Sequence, residues 1–143
     1  SGKSACTDYE RVELDRLLQE SDILSLHCPL SDRTRHLIDK AAFLKMKKTA
    51  ILINVARGPV VDTQALYEAL VNEQIAAAGL DVLEKEPMEI SNPLYQIKDS
   101  TRLIITPHMS WASVESRTRL IEEVVLNIEA FLEGKNRNIV NIE

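Results

Sequence analysis

Apolar side chains along the chain gather in four short aliphatic runs: Ile23-Leu24-Ser25-Leu26, Ala50-Ile51-Leu52-Ile53, Ile75 to Leu80, and Leu103-Ile104-Ile105. Each run is rich in Leu or β-branched residues. Each is followed by turn chemistry: Cys28-Pro29, Arg57-Gly58-Pro59, Asp81 onward, and Thr106-Pro107. Continuous apolar runs of this length read as strands buried on both faces, the pattern of a parallel sheet. Helical stripes lie between them. Leu14, Leu17 and Leu18 form one, ending near Glu20-Ser21. Asp39 reads as the N-cap of a helix from Lys40 to Met46, and Asp62 as the N-cap of another from Thr63 to Asn72. Ser113 caps the longest, which runs to about Glu133 with a stripe of Leu120, Ile121, Val124, Val125, Ile128 and Leu132. Gly134 stands where a C′ glycine ends a helix. Strands alternating with helices predict βαβ units with right-handed crossovers and helices on both faces. Residues 1–11 read as a loop with room for a short strand near Tyr9 to Val12, and the polar tail after Gly134 reads as extended.

Composition narrows this further. At 143 residues the chain is one domain's worth, on a scale of roughly 100–200 residues per domain. Seventeen basic residues against 22 acidic ones give a net charge of −5, which argues against nucleic acid as the main partner. No apolar run reaches the ~18 residues of a membrane helix, and no signal peptide opens the chain. Cys6 and Cys28 make no disulfide framework and no metal-ligand spacing, so a reducing cytoplasm fits. The four glycines, Gly2, Gly58, Gly79 and Gly134, cannot form a Gly-rich phosphate loop. Gly2-Lys3-Ser4 echoes the end of a P-loop but lacks the earlier glycine and the preceding strand. If a nucleotide is held by such a loop, the loop lies outside this chain.

In open α/β sheets, ligands collect beyond the carboxyl ends of the strands. The residues there are His27-Cys28-Pro29-Leu30, Asn54 to Gly58, Asp81 with Glu84 and Glu86, and Thr106-Pro107-His108. An arginine, several carboxylates and a histidine thus converge on one rim. These are the parts needed to act on a polar carbonyl compound. Taken singly, Arg57 reads equally as a solvated loop arginine and His108 as a structural histidine. Glu84 reads as part of a solvated acidic loop. His27 and His36 show no convergent partner and read as structural or exposed. Cys28 has no base to activate it and reads as a packing or lining residue.

Four segments in order carry a resemblance: HCPL followed by Thr34, ILINVARGPVVD at 51–62, GLDVLEKEP at 79–87 and ITPHMSWAS at 105–113. Together they resemble the D-isomer-specific 2-hydroxyacid dehydrogenases, most nearly the glycerate dehydrogenase / hydroxypyruvate reductase branch. The resemblance covers about Tyr9 to Asn141. It implies the second half of a doubly wound, Rossmann-like parallel sheet with flanking helices and a long C-terminal helix. Residues 1–112 would be a partial NAD-binding domain without its Gly-rich loop, and 113–143 a helix and tail returning to a substrate domain. Such a C-terminal fragment is expected to be inactive alone. For the parent protein it implies hydride transfer between NAD(P)H and a 2-keto acid, with hydroxypyruvate/glycerate as best guess. NAD is the expected cofactor with NADP open, and a homodimer the expected assembly. No nucleic acid, membrane or metal is expected.

The resemblance also assigns roles. Arg57 matches the arginine that holds the substrate carboxylate and polarises the keto oxygen. His108 matches the proton donor, and Glu86 the glutamate paired with it. Asp81 matches the aspartate that holds the nicotinamide carboxamide. Pro29, Thr34, Val55 and Ala56 match positions lining the cofactor, with Cys28 nearby; Met109, Ser110 and Trp111 match a strip beside the nicotinamide; and Arg57 and His108 count among the cofactor-binding residues as well as the catalytic ones. Two other readings stay open: an NAD(H)-sensing, corepressor-like binding module, and a stable core with no role of its own. The run at Ile23 to Leu26 is expected at an open sheet edge, which with the Leu120–Leu132 stripe favours self-association.

Overall fold

The computed structural model describes residues 9–139, and the chain divides into two compact units, 1–108 and 109–143. The first unit holds α1 (Leu14–Glu20), β1 (Ile23–Leu26), α2 (Lys40–Lys45), β2 (Ile51–Asn54), α3 (Thr63–Val71), β3 (Ala77–Leu80) and β4 (Leu103–Ile105). The second holds α4 (Val114–Leu132).

The four strands are parallel in the order β1-β2-β3-β4. Leu24, Leu52, Ala78 and Leu103 share one row of the sheet, and Leu26, Asn54, Leu80 and Ile105 the next. These rows face the core with Leu18, Phe43, Leu66 and Leu70. Helices α1, α2 and α3 lie side by side over that face. The intervening row of Ser25, Ile53, Gly79 and Ile104 is half-buried or exposed, with Ile104 at 59%. Cover on both faces was expected, and here the expectation is corrected. Consecutive strand order with crossovers of one hand puts successive helices in a single layer. Among the described residues of the first unit, one face of the sheet is packed.

Capping follows the side-chain chemistry. Asp39 accepts from the Ala42 N–H at 2.8 Å, and Asp62 from the Ala65 N–H at 3.0 Å. Each such cap contributes about 1 kcal/mol. The end of α3 carries no glycine. Glu73 takes the left-handed position (φ 54°), and its N–H and that of Gln74 bond to Leu70 and Ala69 carbonyls. The Arg102 guanidinium donates to the Leu70 carbonyl at 2.6 Å and so covers the same helix end.

Tyr9 to Val12 form no strand, contrary to the expectation of a short one. Glu10 is instead drawn to Arg16 at 2.7 Å, and Tyr9 is exposed. The rest of the loop assigned to residues 1–11 lies outside the described residues. Strand β1 is at the sheet edge among the described residues, as expected.

In the second unit the Ser113 hydroxyl caps α4 by accepting from the Ser116 N–H at 3.1 Å. Gly134 (φ 69°) ends the helix: its N–H bonds to the Phe131 carbonyl, and that of Lys135 to Ala130. The tail is not simply extended. Arg137 pairs with Glu123 at 2.7 Å, and Asn138 donates to Asn127 at 3.0 Å, which folds residues 135–139 back along α4. No residue of α4 is buried, and its apolar stripe is exposed.

Candidate active site

The carboxyl ends of β3 and β4 continue their ladder for one residue. The Asp81 N–H bonds to the Asn54 carbonyl and the Thr106 N–H to the Leu80 carbonyl, both at 2.9 Å. This fixes Asp81 and Thr106 side by side, and the Thr106 hydroxyl donates to Asp81 Oδ1 at 2.6 Å. Asp81 is 4% exposed, one of two buried polar residues among those described. A carboxylate so buried must keep its acceptors engaged.

The loop after β3 turns back on itself through Glu86. Its Oε1 accepts from the Leu83 N–H at 2.8 Å, and its Oε2 meets His108 Nδ1 at 2.9 Å. The Leu83 N–H, and next the bond to His108, hold the Glu86 carboxyl below the usual carboxylate range. Glu86 is therefore ionised at neutral pH and acts as an acceptor for Nδ1–H. His108 sits after Pro107 in the left-handed region (φ 54°), with its N–H on the Thr106 carbonyl. Between these loops opens a pocket of about 370 Å³. Leu83, Met88, Ile105 and Pro107 give it apolar walls, and Asp81, Glu86 and His108 give it polar groups. Apolar walls with a few convergent polar groups are the usual make-up of a small-molecule site.

Arg57 stands on a braced turn. Asn54, 1% exposed, accepts from the Ala56 N–H at 3.0 Å and donates to the Arg57 carbonyl at 3.0 Å. Ala56 is buried and Val55 half-buried. The Arg57 guanidinium donates to the Ala56 carbonyl at 2.7 Å and is not among the residues lining the pocket. The turn is nonetheless docked on the Glu86 loop. A Cβ on Gly58 would lie 1.9 Å from the Leu83 carbonyl carbon, so only glycine allows this approach.

At the end of β1, Thr34 closes the loop it shares with Pro29, donating to the Pro29 carbonyl at 2.7 Å and accepting from the Ser31 N–H at 2.8 Å. Cys28 is half-buried against the core. His27 bonds to Ser25 at 2.8 Å and remains a local, exposed contact. Met109, Ser110 and Trp111 belong to the second unit, where Met109 accepts from the Ala112 N–H at 2.8 Å. Among the described residues, no group of His, Cys, Asp and Glu could hold a metal ion, and no helix is long and apolar enough to cross a membrane.

Two readings are corrected. His36 is not without a convergent partner, and Glu84 is not merely solvated: His36 Nε2 and Glu84 Oε1 are 2.6 Å apart, across 48 positions of sequence. Nothing local in the chain signals that pair. Asn54, Thr106 and Gly58 were visible at strand ends, but their bracing roles depend on which loops meet.

In parallel α/β sheets ligands bind beyond the carboxyl ends of the strands, which is where this pocket lies. The chain belongs to the D-isomer specific 2-hydroxyacid dehydrogenase family: the model of its NAD binding domain matches residues 2–110. A hydroxypyruvate reductase of Blautia hydrogenotrophica is 48% identical over 130 residues, 91% of this chain and 39% of that protein. A D-lactate dehydrogenase of Aquifex aeolicus, complexed with NAD and lactic acid, superposes with TM-score 0.74 at 36% identity, over 86% of this chain and 40% of that one. An acyclic imino acid reductase in complex with NADPH and D-Arg gives TM-score 0.86 at 33% identity, over 97% and 43%. The chain thus spans about two fifths of the length of these relatives.

Proposed function

We propose that the protein carrying this chain reduces a 2-keto acid to the D-2-hydroxy acid with a hydride from NAD(P)H, hydroxypyruvate being the first substrate to try. The observation that carries this reading is the Glu86–His108 pair at 2.9 Å, opening on a pocket with the buried Asp81 in its wall. The nicotinamide, when bound, supplies the hydride to the keto carbon. Asp81 would hold its carboxamide. Pro29, Thr34, Val55, Ala56 and Cys28 would line the cofactor from the neighbouring loops, with Met109, Ser110 and Trp111 along the nicotinamide. With Nδ1 committed to Glu86, delivery of the proton to the keto oxygen falls to His108 Nε2. The ionised Glu86 accepts from Nδ1–H and so fixes the orientation of the ring. Arg57 would swing from the Ala56 carbonyl to the substrate carboxylate, where its planar fork makes two parallel hydrogen bonds.

Support for turnover over sensing comes from the relatives, which are named as reductases and dehydrogenases. The structural neighbours include proteins complexed with NAD and one complexed with NADPH, so both cofactors belong in the test. The assay is steady-state oxidation of NADH and NADPH by the protein at the length of its relatives, with hydroxypyruvate, glyoxylate and pyruvate. Turnover with at least one keto acid is expected, and no activity from residues 1–143 alone. Absence of turnover with all three would reject the reading.

The assembly proposed for the protein at the length of its relatives is a homodimer; for the 143-residue chain itself, self-association is proposed. The edge position of β1 and the exposed α4 stripe offer two associating surfaces on the chain as given. Light scattering across a concentration series is expected to give a mass above 16.1 kDa for the 143-residue chain. A constant monomer mass at the highest concentration would refute this.

A further inference from the structure

Three loops meet at His36. Its backbone N–H donates to the Pro59 carbonyl at 2.8 Å, on the turn that carries Arg57. Its side chain reaches Glu84 at 2.6 Å, on the loop that carries Glu86. Two residues on, Ile38 pairs with the same turn, donating to the Val60 carbonyl at 3.1 Å and accepting from the Asp62 N–H at 3.0 Å. His36 holds a left-handed backbone (φ 51°) to make both contacts at once. That conformation is uncommon outside glycine, although histidine is among the residues that adopt it more readily. Beside this bridge, Gly58 lies directly on the Leu83–Glu84 backbone. The Arg57 turn and the Glu86 loop are therefore joined twice, once by the absence of a side chain and once by a histidine–carboxylate pair.

We propose that His36 and Gly58 are positioning residues, which fix the Arg57 turn against the Glu86 loop so that the guanidinium and the Glu86–His108 pair address one substrate from a set spacing. This rests on the reading of the site given above. Neither residue touches the reacting atoms. The His36–Glu84 pair is partly exposed, with side chains 43% and 33% accessible, and such pairs add little to global stability. Its contribution is to registration, where small displacements weigh heavily on rate.

The test is kinetic, on the protein at the length of its relatives. His36→Ala and Glu84→Ala are each expected to lower kcat/KM for the keto acid about tenfold, with KM for NADH and Tm little changed. Glu84→Gln keeps an acceptor for Nε2 and should retain near wild-type kcat/KM. The His36→Ala/Glu84→Ala double variant should be no worse than either single one, because the two side chains act as one unit. Gly58→Ala forces the loops apart and should cost about 100-fold. The proposal is overturned if both single variants stay within about twofold of wild type, or if their losses multiply in the double variant. Amide exchange separates this outcome from failure of the functional reading. If the wild-type protein reduces no keto acid, that reading falls, and the bridge is then judged on the Val60 and Leu83 amides. Exchange about tenfold faster at both in His36→Ala supports the bridge, and unchanged rates overturn it.

Discussion

Replacing His108 by Gln is expected to lower kcat for keto acid reduction by at least ~100-fold, the loss that follows removal of a positioned general acid. Gln retains a donor but carries no transferable proton at neutral pH. The alkoxide that develops as hydride reaches carbon would have to be protonated by water. Binding of NADH should change little, because the pocket walls of Leu83, Met88, Ile105 and Pro107 remain in place. The measurement is steady-state kinetics at saturating NADH together with a direct titration of NADH. A variant with near wild-type kcat would remove His108 from the chemistry. The geometry gives the expectation its weight: Glu86 meets Nδ1 at 2.9 Å while its other oxygen is anchored by the Leu83 N–H at 2.8 Å. The ring is thereby held from a carboxylate that is itself fixed to backbone.

Arg57→Lys is the second large effect. The substitution keeps the positive charge and loses the planar fork. Carboxylate anchoring and carbonyl polarisation are assigned to the same group, so KM for the keto acid should rise and kcat should fall together. The combined loss in kcat/KM is expected at about 100-fold or more, a few kcal/mol of transition-state stabilisation. The Asn54 brace, which bonds to the Ala56 N–H and the Arg57 carbonyl, involves only backbone atoms of the turn, so the turn itself should survive the change. A loss confined to cofactor affinity would reassign Arg57 to the nucleotide.

What could be read in the chain differs from element to element for physical reasons. The runs at Ile23, Ile51 and Leu103 are strands within a residue or so of their expected bounds, because short aliphatic runs ending in Pro or Gly leave few alternatives. The run from Ile75 is strand only from Ala77, since Ile75 is buried ahead of the ladder. Asp39, Asp62 and Ser113 cap as expected, because a cap acts within three residues of itself. Which face of the sheet is covered was not legible. Ile51, Ile53 and Ile104 are as apolar as Leu24 or Leu52, and only strand order decides which row meets helices.

The candidate site divides in the same way. The rim could be listed from strand ends alone, and the roles of Arg57, Glu86, His108 and Asp81 came with the family resemblance. Apart from the Glu86–His108 pair, which the resemblance implied, the contacts between loops could not be read from either. A glycine at 58 looks like turn chemistry until Leu83 is seen against it. His36 and Glu84 look solvated until two segments 48 residues apart are brought together.

The most direct test of the account is a crystal structure of the protein at the length of its relatives, with NADH and oxamate, a keto acid analogue that accepts no hydride. In that complex His108 Nε2 is expected within ~2.6–3.2 Å of the oxamate carbonyl oxygen, with the Arg57 guanidinium paired with its carboxylate and the nicotinamide amide on Asp81. Oxamate bound in the same pocket with His108 turned away from its oxygen, or with Arg57 still on the Ala56 carbonyl, would contradict it.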